Sequence, residues 1–219
     1  MSLTEILAGI LDGAGVTLRV VAYALAYAIP FALLFGTLQY LARGAARACV
    51  TVVIEFWRSN SVIILLYVFY YLLPFVGMRW SAMEVAALVL GCNVGSYASQ
   101  VVRAALQAVA RGQLQAGKAL GLKRLQVLLL IEFPQSIRPM IPSLMNETIR
   151  LIQSTALVSL LALSDMTLRA KEIAQTTYQP VGIYTALLIA YFLLAYPFAL
   201  LGRRLESWVV KGKGVRDAL

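Results

Sequence analysis

The sequence predicts an all-α polytopic membrane protein with five transmembrane helices in a single domain, residues 1–219, and three observations carry that prediction. Of the 219 residues 61% are hydrophobic and 13% charged, with mean hydropathy +0.80, more apolar surface than a soluble domain of this size can hide, so a lipid bilayer is the expected solvent. The apolar residues gather into runs near the length of about 20 residues that crosses a hydrocarbon core. The basic residues behind the net charge of +9 are dispersed between those runs, a pattern of membrane topology that argues against nucleic acid as a partner.

Residues 1–13 read as an interfacial helix, because Leu3, Ile6, Leu7, Ile10 and Leu11 share one helical face. Glu5 and Asp12 precede Arg19, the first basic residue, so the basic leading region of a secretory signal is missing and the segment is expected to be retained. The first span runs from about Val16 to Leu41 and contains Pro30, which is expected to kink it. The second is interrupted: Cys49 to Trp57 is apolar, Arg58-Ser59-Asn60-Ser61 is polar, and Val62 to Phe75 is apolar again, which predicts a helix broken near its middle. The third runs from about Met83 to Val102, the fourth from about Pro139 to Leu163, and the fifth from about Val181 to Leu201.

Five spans place the termini on opposite sides, and the basic residues choose which. With the N-terminus outside and the C-terminus cytoplasmic, Arg43, Arg47, Arg103, Arg111, Lys118, Lys123, Arg124, Arg138, Arg203, Arg204, Lys211, Lys213 and Arg216 face the cytoplasm, against Arg79, Arg169 and Lys171 outside. Arg19, Arg58 and Arg150 stay unassigned. The loop 103–138 and the tail 203–219 are therefore expected in the cytoplasm.

Polar side chains within the spans are candidates for a substrate pathway, since a zwitterion entering hydrocarbon must exchange water for protein partners. On the fourth span Asn146, Arg150 and Gln153 or Ser154 form one stripe, and Glu147 is placed to pair with Arg150. Asn93, Tyr97 and Gln100 form a second stripe on the third span. The alternative for these groups is helix tethering, with Glu147 neutralising Arg150 and Asn93 bonding a neighbouring helix. Ala87, Gly91, Gly95 and Ser99 repeat every four positions, a small-residue row suited to close helix packing. Tyr184 and Tyr191 share a face of the fifth span, as interfacial anchors or cation contacts. Cys49 and Cys92 are expected as buried small hydrophobes, and Asp165, Arg169, Lys171 and Glu172 as a solvated charge cluster or a contact for an external protein.

In the cytoplasmic loop a short helix from about Arg111 to Leu120 would end at Gly121 in the left-handed conformation. Ala116, Gly117 and Ala119 would let another protein approach the backbone, and Leu114 and Leu120 offer apolar knobs. Pro134 is expected to bias Phe133 away from helical geometry, turning the chain before it re-enters the membrane. An ordinary amphipathic connector is the competing reading. Gly112 to Ala119 copies a phosphate-binding loop except for its last hydroxyl, but lacks the strand that loop requires.

Gln115-Ala116-Gly117-Lys118-Ala119-Leu120-Gly121, then Ile131 and Phe133-Pro134, resembles the EAA loop of bacterial ATP-binding-cassette importer permeases, with Gln in place of the acid, Gly of the second Ala and Phe133 of a Leu. That resemblance implies the type I importer permease fold, a docking helix made of Leu114, Gln115, Ala116, Gly117, Ala119, Leu120 and Gly121, and ATP-Mg bound by a partner ATPase dimer instead of by this chain. It further implies a second permease subunit, identical or paralogous, an extracytoplasmic solute-binding protein, and a multi-pass location in the bacterial inner membrane. Phe56-Trp57-Arg58-Ser59-Asn60-Ser61, Asn93-Val94-Gly95-Ser96-Tyr97, Phe133-Pro134-Gln135 and Ser154-Thr155-Ala156-Leu157 are similar to stretches of the polar amino-acid uptake permeases, and over about Gly15 to Trp208 the chain resembles that group. The wording around Asn93 and Thr155 is similar to the ectoine-type branch. Arg58-Ser59-Asn60-Ser61 departs from the Arg-Gly-Thr-Pro often found in the group, and Gln153 from its Lys.

The chain has no histidine, so His-based catalysis and histidine metal sites are excluded, and no acidic or Ser-Lys pair recurs at helical spacing. A transport subunit with no catalytic residue, metal or cofactor of its own is the expectation. A membrane enzyme, a passive channel and a membrane scaffold are its rivals.

Overall fold

A computed structural model of the chain describes residues 3–177 and 179–214. Residues 1–2 of the expected interfacial helix and residues 215–219 of the tail, Arg216 among them, lie outside the described residues, as do the side chains of Leu3, Lys211 and Lys213. The regular structure of the described residues is all helical, joined by short turns, and contains no strand.

Two helices form the centre, α2 (Ala14–Leu41) and α5 (Ala82–Gln107), following the short α1 (Leu3–Leu11) and separated by α3 (Gly44–Ser59) and α4 (Val62–Leu72). Their backbones touch because small residues line the contact: a Cβ on Gly91 would stand 2.5 Å from the Ala24 carbonyl oxygen, and one on Gly36 2.5 Å from that of Ser99. Ala87, Gly91, Gly95 and Ser99 are all buried, as the four-residue repeat predicts. Around this seam Val20, Ala24, Leu66, Val89, Leu90, Leu151 and Ile152 make the main core. At its start α5 is fixed by a capping box, with the Glu84 N–H donating to Ser81 Oγ at 3.3 Å and the Ser81 N–H to Glu84 Oε2 at 2.7 Å.

Glu5–Leu41 forms one apolar stretch of 37 residues, so α1 leads into α2 through the Asp12–Gly13 turn. The apolar face expected to lie on the membrane surface is used within the chain: Ile6 and Ile10 are buried against Met166, Ala170, Ile183 and Ala186. Polar residues at Arg58–Ser61 do break the second span, and α3 and α4 meet at a bend of 100°. Since α3 buries only Ile54, Cys49 stands exposed, contrary to expectation, while Cys92 on α5 is buried as expected.

The loop helix α6 (Arg111–Ala119) is followed by α7 (Arg124–Val127), a π turn at Leu128–Glu132, and α8 (Phe133–Ser154). Contrary to expectation Phe133 is helical, with φ −62° and ψ −50°, and the chain does not turn before Pro134. The π turn explains why: Phe133 N–H bonds the Leu128 carbonyl five residues back, so the hydrogen-bond ladder has already shifted where Pro134 can donate nothing. A 3-10 stretch, Thr155–Leu161, ends at Ala162 in the left-handed region, φ +56°. Then come α9 (Met166–Thr177), bent 54° from the preceding segment, and α10 (Pro180–Gly214).

Among the described residues three helical stretches are long and apolar enough to cross a membrane, Glu5–Leu41, Ala82–Gln107 and Pro180–Ser207, and the two bent pairs raise the number to five if each is one span. The chain alternates between two ends. At one, Gly13 packs against the Asp165 main chain, 2.5 Å from where its Cβ would be; at the other, Tyr40 reaches Glu132. The charge cluster expected at the first end is divided. Asp165 is buried and accepts from the Leu168 N–H at 2.9 Å, Lys171 donates to Ser159 Oγ at 3.0 Å, and only Arg169 and Glu172 form an exposed pair.

Gly91→Val is expected to force α2 and α5 apart at a cost of about 3 kcal/mol, whereas Gly182→Ala, with open space around it, is expected to be neutral. Thermal unfolding of the two variants in detergent checks this.

Candidate functional site

At the break between α3 and α4 the last carbonyls of α3 lose their helical donors, and α5 replaces them. Asn93 Nδ2 donates to the Trp57 carbonyl at 2.7 Å, and the Tyr97 hydroxyl, one turn on, donates to the Arg58 carbonyl at 3.2 Å. Asn60 Nδ2 donates to the Phe56 carbonyl at 2.7 Å. Asn93 therefore tethers a neighbouring helix.

Two guanidinium groups converge on the Tyr97 ring. Arg150 stands 4.2 Å and Arg58 5.5 Å from its centroid, within the range of cation–π attraction. Each arginine has its own carboxylate three residues earlier on its helix: Arg150 Nη1 lies 3.2 Å from Glu147 Oε2, and Arg58 Nη1 3.3 Å from Glu55 Oε1. Glu147 and Arg150 pair as their spacing predicts. The result is a cluster of two ion pairs on one aromatic ring, with the arginine side chains 39% and 50% exposed.

Tyr97, Glu147 and Arg150 are brought together; the other expected pathway residues go elsewhere. Gln100 donates to Gln39 Oε1 at 3.0 Å, and Gln39 Nε2 to Thr51 Oγ1 at 2.9 Å, a chain of bonds tying α5, α2 and α3. Ser154 bonds back to the Arg150 carbonyl at 2.8 Å, and Asn146 is exposed. Gln153 lines a groove of about 850 Å³ among α8, α9 and α10 together with Thr167, Tyr184 and Tyr191. There Tyr191 bonds Thr167 at 2.9 Å and is half-buried, so it belongs to the packing of α9 on α10. Glu55 and Arg58, not among the sequence candidates, complete the cluster, and Gln39 complements Gln100. A buried glutamine in an apolar span was the available signal for Gln39, and the unsatisfied carbonyls of a broken span for the Arg58 region.

At the other candidate region α6 ends as expected. Gly121 has φ +76°, its N–H donates to the Lys118 carbonyl at 2.9 Å, and the Leu122 N–H donates to that of Gly117 at 3.1 Å, the Schellman arrangement. Gln115, Ala116, Ala119 and Leu120 are exposed, Leu120 by 79%, while Leu114 is half-buried. Gly117 is buried: its Cβ would stand 2.8 Å from Ile131 Cδ1, so the close approach it permits is made by this chain's own π turn. Gly112 to Ala119 lies within a helix, with no strand among the described residues, so the phosphate-loop likeness is fortuitous. No group of three or more metal-ligating side chains occurs among the described residues.

Residues 28–211 match the family described as binding-protein-dependent transport system inner membrane component. The chain belongs to that family. As one of its members it is 30% identical over 210 residues to a probable amino-acid ABC transporter permease of Sinorhizobium fredii, covering 93% of this chain and 88% of the relative. It is 29% identical over 207 residues to a probable glutamine ABC transporter permease of Bacillus subtilis, covering 92% and 94%. In structure it resembles a crystal structure of an amino acid ABC transporter with histidines, with TM-score 0.84 and 25% identity over 94% of this chain and 96% of that one. This transport-component family thus accounts for the all-helical fold.

Asn93→Ala strands the Trp57 carbonyl and is expected to cost about 1–3 kcal/mol. Asn146→Ala, on an exposed side chain, is expected to leave stability unchanged. Chemical unfolding of the purified protein separates the two.

Proposed function

We propose that this chain is the membrane-spanning permease subunit of an ATP-driven importer for polar amino acids, lying in the bacterial inner membrane with its N-terminus outside and its C-terminus in the cytoplasm. One observation carries the reading: in a chain of the transport-component family, an exposed helix, α6, closed by left-handed Gly121, stands between two membrane-crossing segments. Leu120 with Gln115, Ala116 and Ala119 presents the surface on which an ATP-binding-cassette ATPase dimer docks, and that ATPase, not this chain, binds ATP-Mg. Leu114, Gly117 and Gly121 hold that helix in place, Gly117 by seating it on Ile131. A second permease subunit completes the pathway, and an extracytoplasmic solute-binding protein supplies the solute.

The cluster at Tyr97 is the substrate contact in this reading. Glu55, Arg58, Glu147 and Arg150 sum to zero charge, which suits a zwitterion whose carboxylate exchanges onto an arginine while its ammonium takes the released glutamate. Asn93 and Gln100 hold the frame around it, and Asn146, Gln153 and Ser154 lie along the same helix as Arg150. The relatives' naming for amino-acid and glutamine transport favours a polar amino acid over an ectoine-type solute.

The test is co-expression with the ATPase and binding protein encoded alongside it, with solute-dependent ATP hydrolysis measured in nanodiscs for a panel of amino acids and ectoine. Solute flux that needs no ATP, or hydrolysis indifferent to every solute, would overturn the reading. Leu120→Asp is expected to reduce ATPase co-purification and stimulated hydrolysis about 30-fold, the loss typical of a central apolar anchor. Arg150→Gln is expected to raise the half-saturating solute concentration about tenfold through one lost charged hydrogen bond, with assembly intact by size-exclusion chromatography.

A further inference from the structure

Glu132 is a fully buried carboxylate that the site above does not use. It closes the π turn, and both its oxygens are taken: the Tyr40 hydroxyl donates to Oε1 at 2.5 Å, and Arg124 pairs with Oε2. Arg124 also lies over the Tyr40 ring, 5.1 Å from its centroid, so each of the three groups contacts the other two. Burying a charge in this way is expensive unless it is paired and hydrogen-bonded, and hydrophobic residues would fill the same space at no such cost.

The position of Glu132 indicates what the charge does. Ile131, the residue before it, is the one on which the Gly117 backbone of α6 is seated, and Glu132 itself holds Tyr40, one residue from the end of α2. Consecutive residues of one π turn therefore grip the exposed helix on one side and a central helix on the other. From Tyr40 the contact continues without a gap. Four residues back, Gly36 packs directly on the Ser99 carbonyl of α5, and two residues before Ser99 is Tyr97, which carries Arg58 and Arg150. A π turn suits a joint of this kind, because its hydrogen-bond register can shift by one residue while the helix stays intact.

We infer that Tyr40, Glu132 and Arg124 form a coupling latch: positioning residues that transmit displacement of α6 to α2, and through the α2–α5 seam to the cluster at Tyr97. The inference rests on the docking of an ATPase at α6. In its absence of latching, α6 would move on Ile131 without turning α2, and hydrolysis would continue with little transport.

The experiment uses the complete importer in proteoliposomes and measures solute imported per ATP hydrolysed for Tyr40→Phe, which removes one hydroxyl, and for Glu132→Gln, which removes the charge and keeps the shape. The expected result is a complex of normal subunit ratio that still hydrolyses ATP when solute is supplied, with solute imported per ATP lowered about fivefold or more, the scale on which linked sites communicate. Glu132→Asp, keeping the charge, is expected to recover part of the ratio. A parallel fall of hydrolysis and import at constant ratio, or failure of both variants to assemble, would mark the triad as a structural buttress and overturn the latch. An unchanged ratio would overturn it as well. Cross-linking of a cysteine at Leu120 to the ATPase in the parent protein is run beside these: absence of that cross-link defeats the docking reading itself, whereas its presence with an unchanged ratio defeats the latch alone.

Discussion

A backbone carbonyl or N–H that loses its helical partner must find another, and the irregular points of this chain are built around that constraint. Where α3 breaks from α4, side chains of α5 supply donors to Trp57 and Arg58. Where Pro134 cannot donate, the ladder has shifted beforehand through the Phe133 to Leu128 bond. Where α6 ends, Gly121 and Leu122 return their N–H groups to its last carbonyls. The first two repairs stand beside polar or charged side chains, Asn93 and Tyr97 at one and Glu132 at the other. The candidate site at Tyr97 is a consequence of the first repair and the Glu132 triad sits on the second.

Both regions are held to a common spine. The glycines at the α2–α5 contact allow main chain to lie against main chain, so neither helix can shift at one end without moving against its partner along its length. Asn93 and Tyr97 project from this spine toward the α3 break, and Tyr40 projects from its other end toward Glu132.

Much of this was legible from residue order. Three of the five spans, the break at Arg58–Ser61, the small-residue row on α5, the Glu147–Arg150 pair and the left-handed Gly121 all follow from local spacing, and the structure contains each of them, with the second and fourth spans present as bent helix pairs. Misreadings arose where a residue's partner is distant in sequence. Gly117 has the composition of an open docking surface and is buried by Ile131; Asp165 has that of a solvated acid and is buried beside Gly13 and Tyr191; Cys49 has that of a core residue and is exposed. Phe133, placed before a proline, was expected outside the helix and lies within it, because the π turn upstream is a cooperative adjustment that no single residue announces.

Periodicity, length and charge bias act over one helix turn or one span, and for that reason order along the chain was enough to establish an all-helical membrane protein with an interrupted second span and a capped loop helix. Which polar groups meet is a different matter. The approach of Arg58 and Arg150 to the Tyr97 ring, 39 and 53 positions from it, and of Tyr40 to Glu132 across 92 positions, depends on how four helices cross, and those crossings are set by side-chain packing summed over the whole bundle.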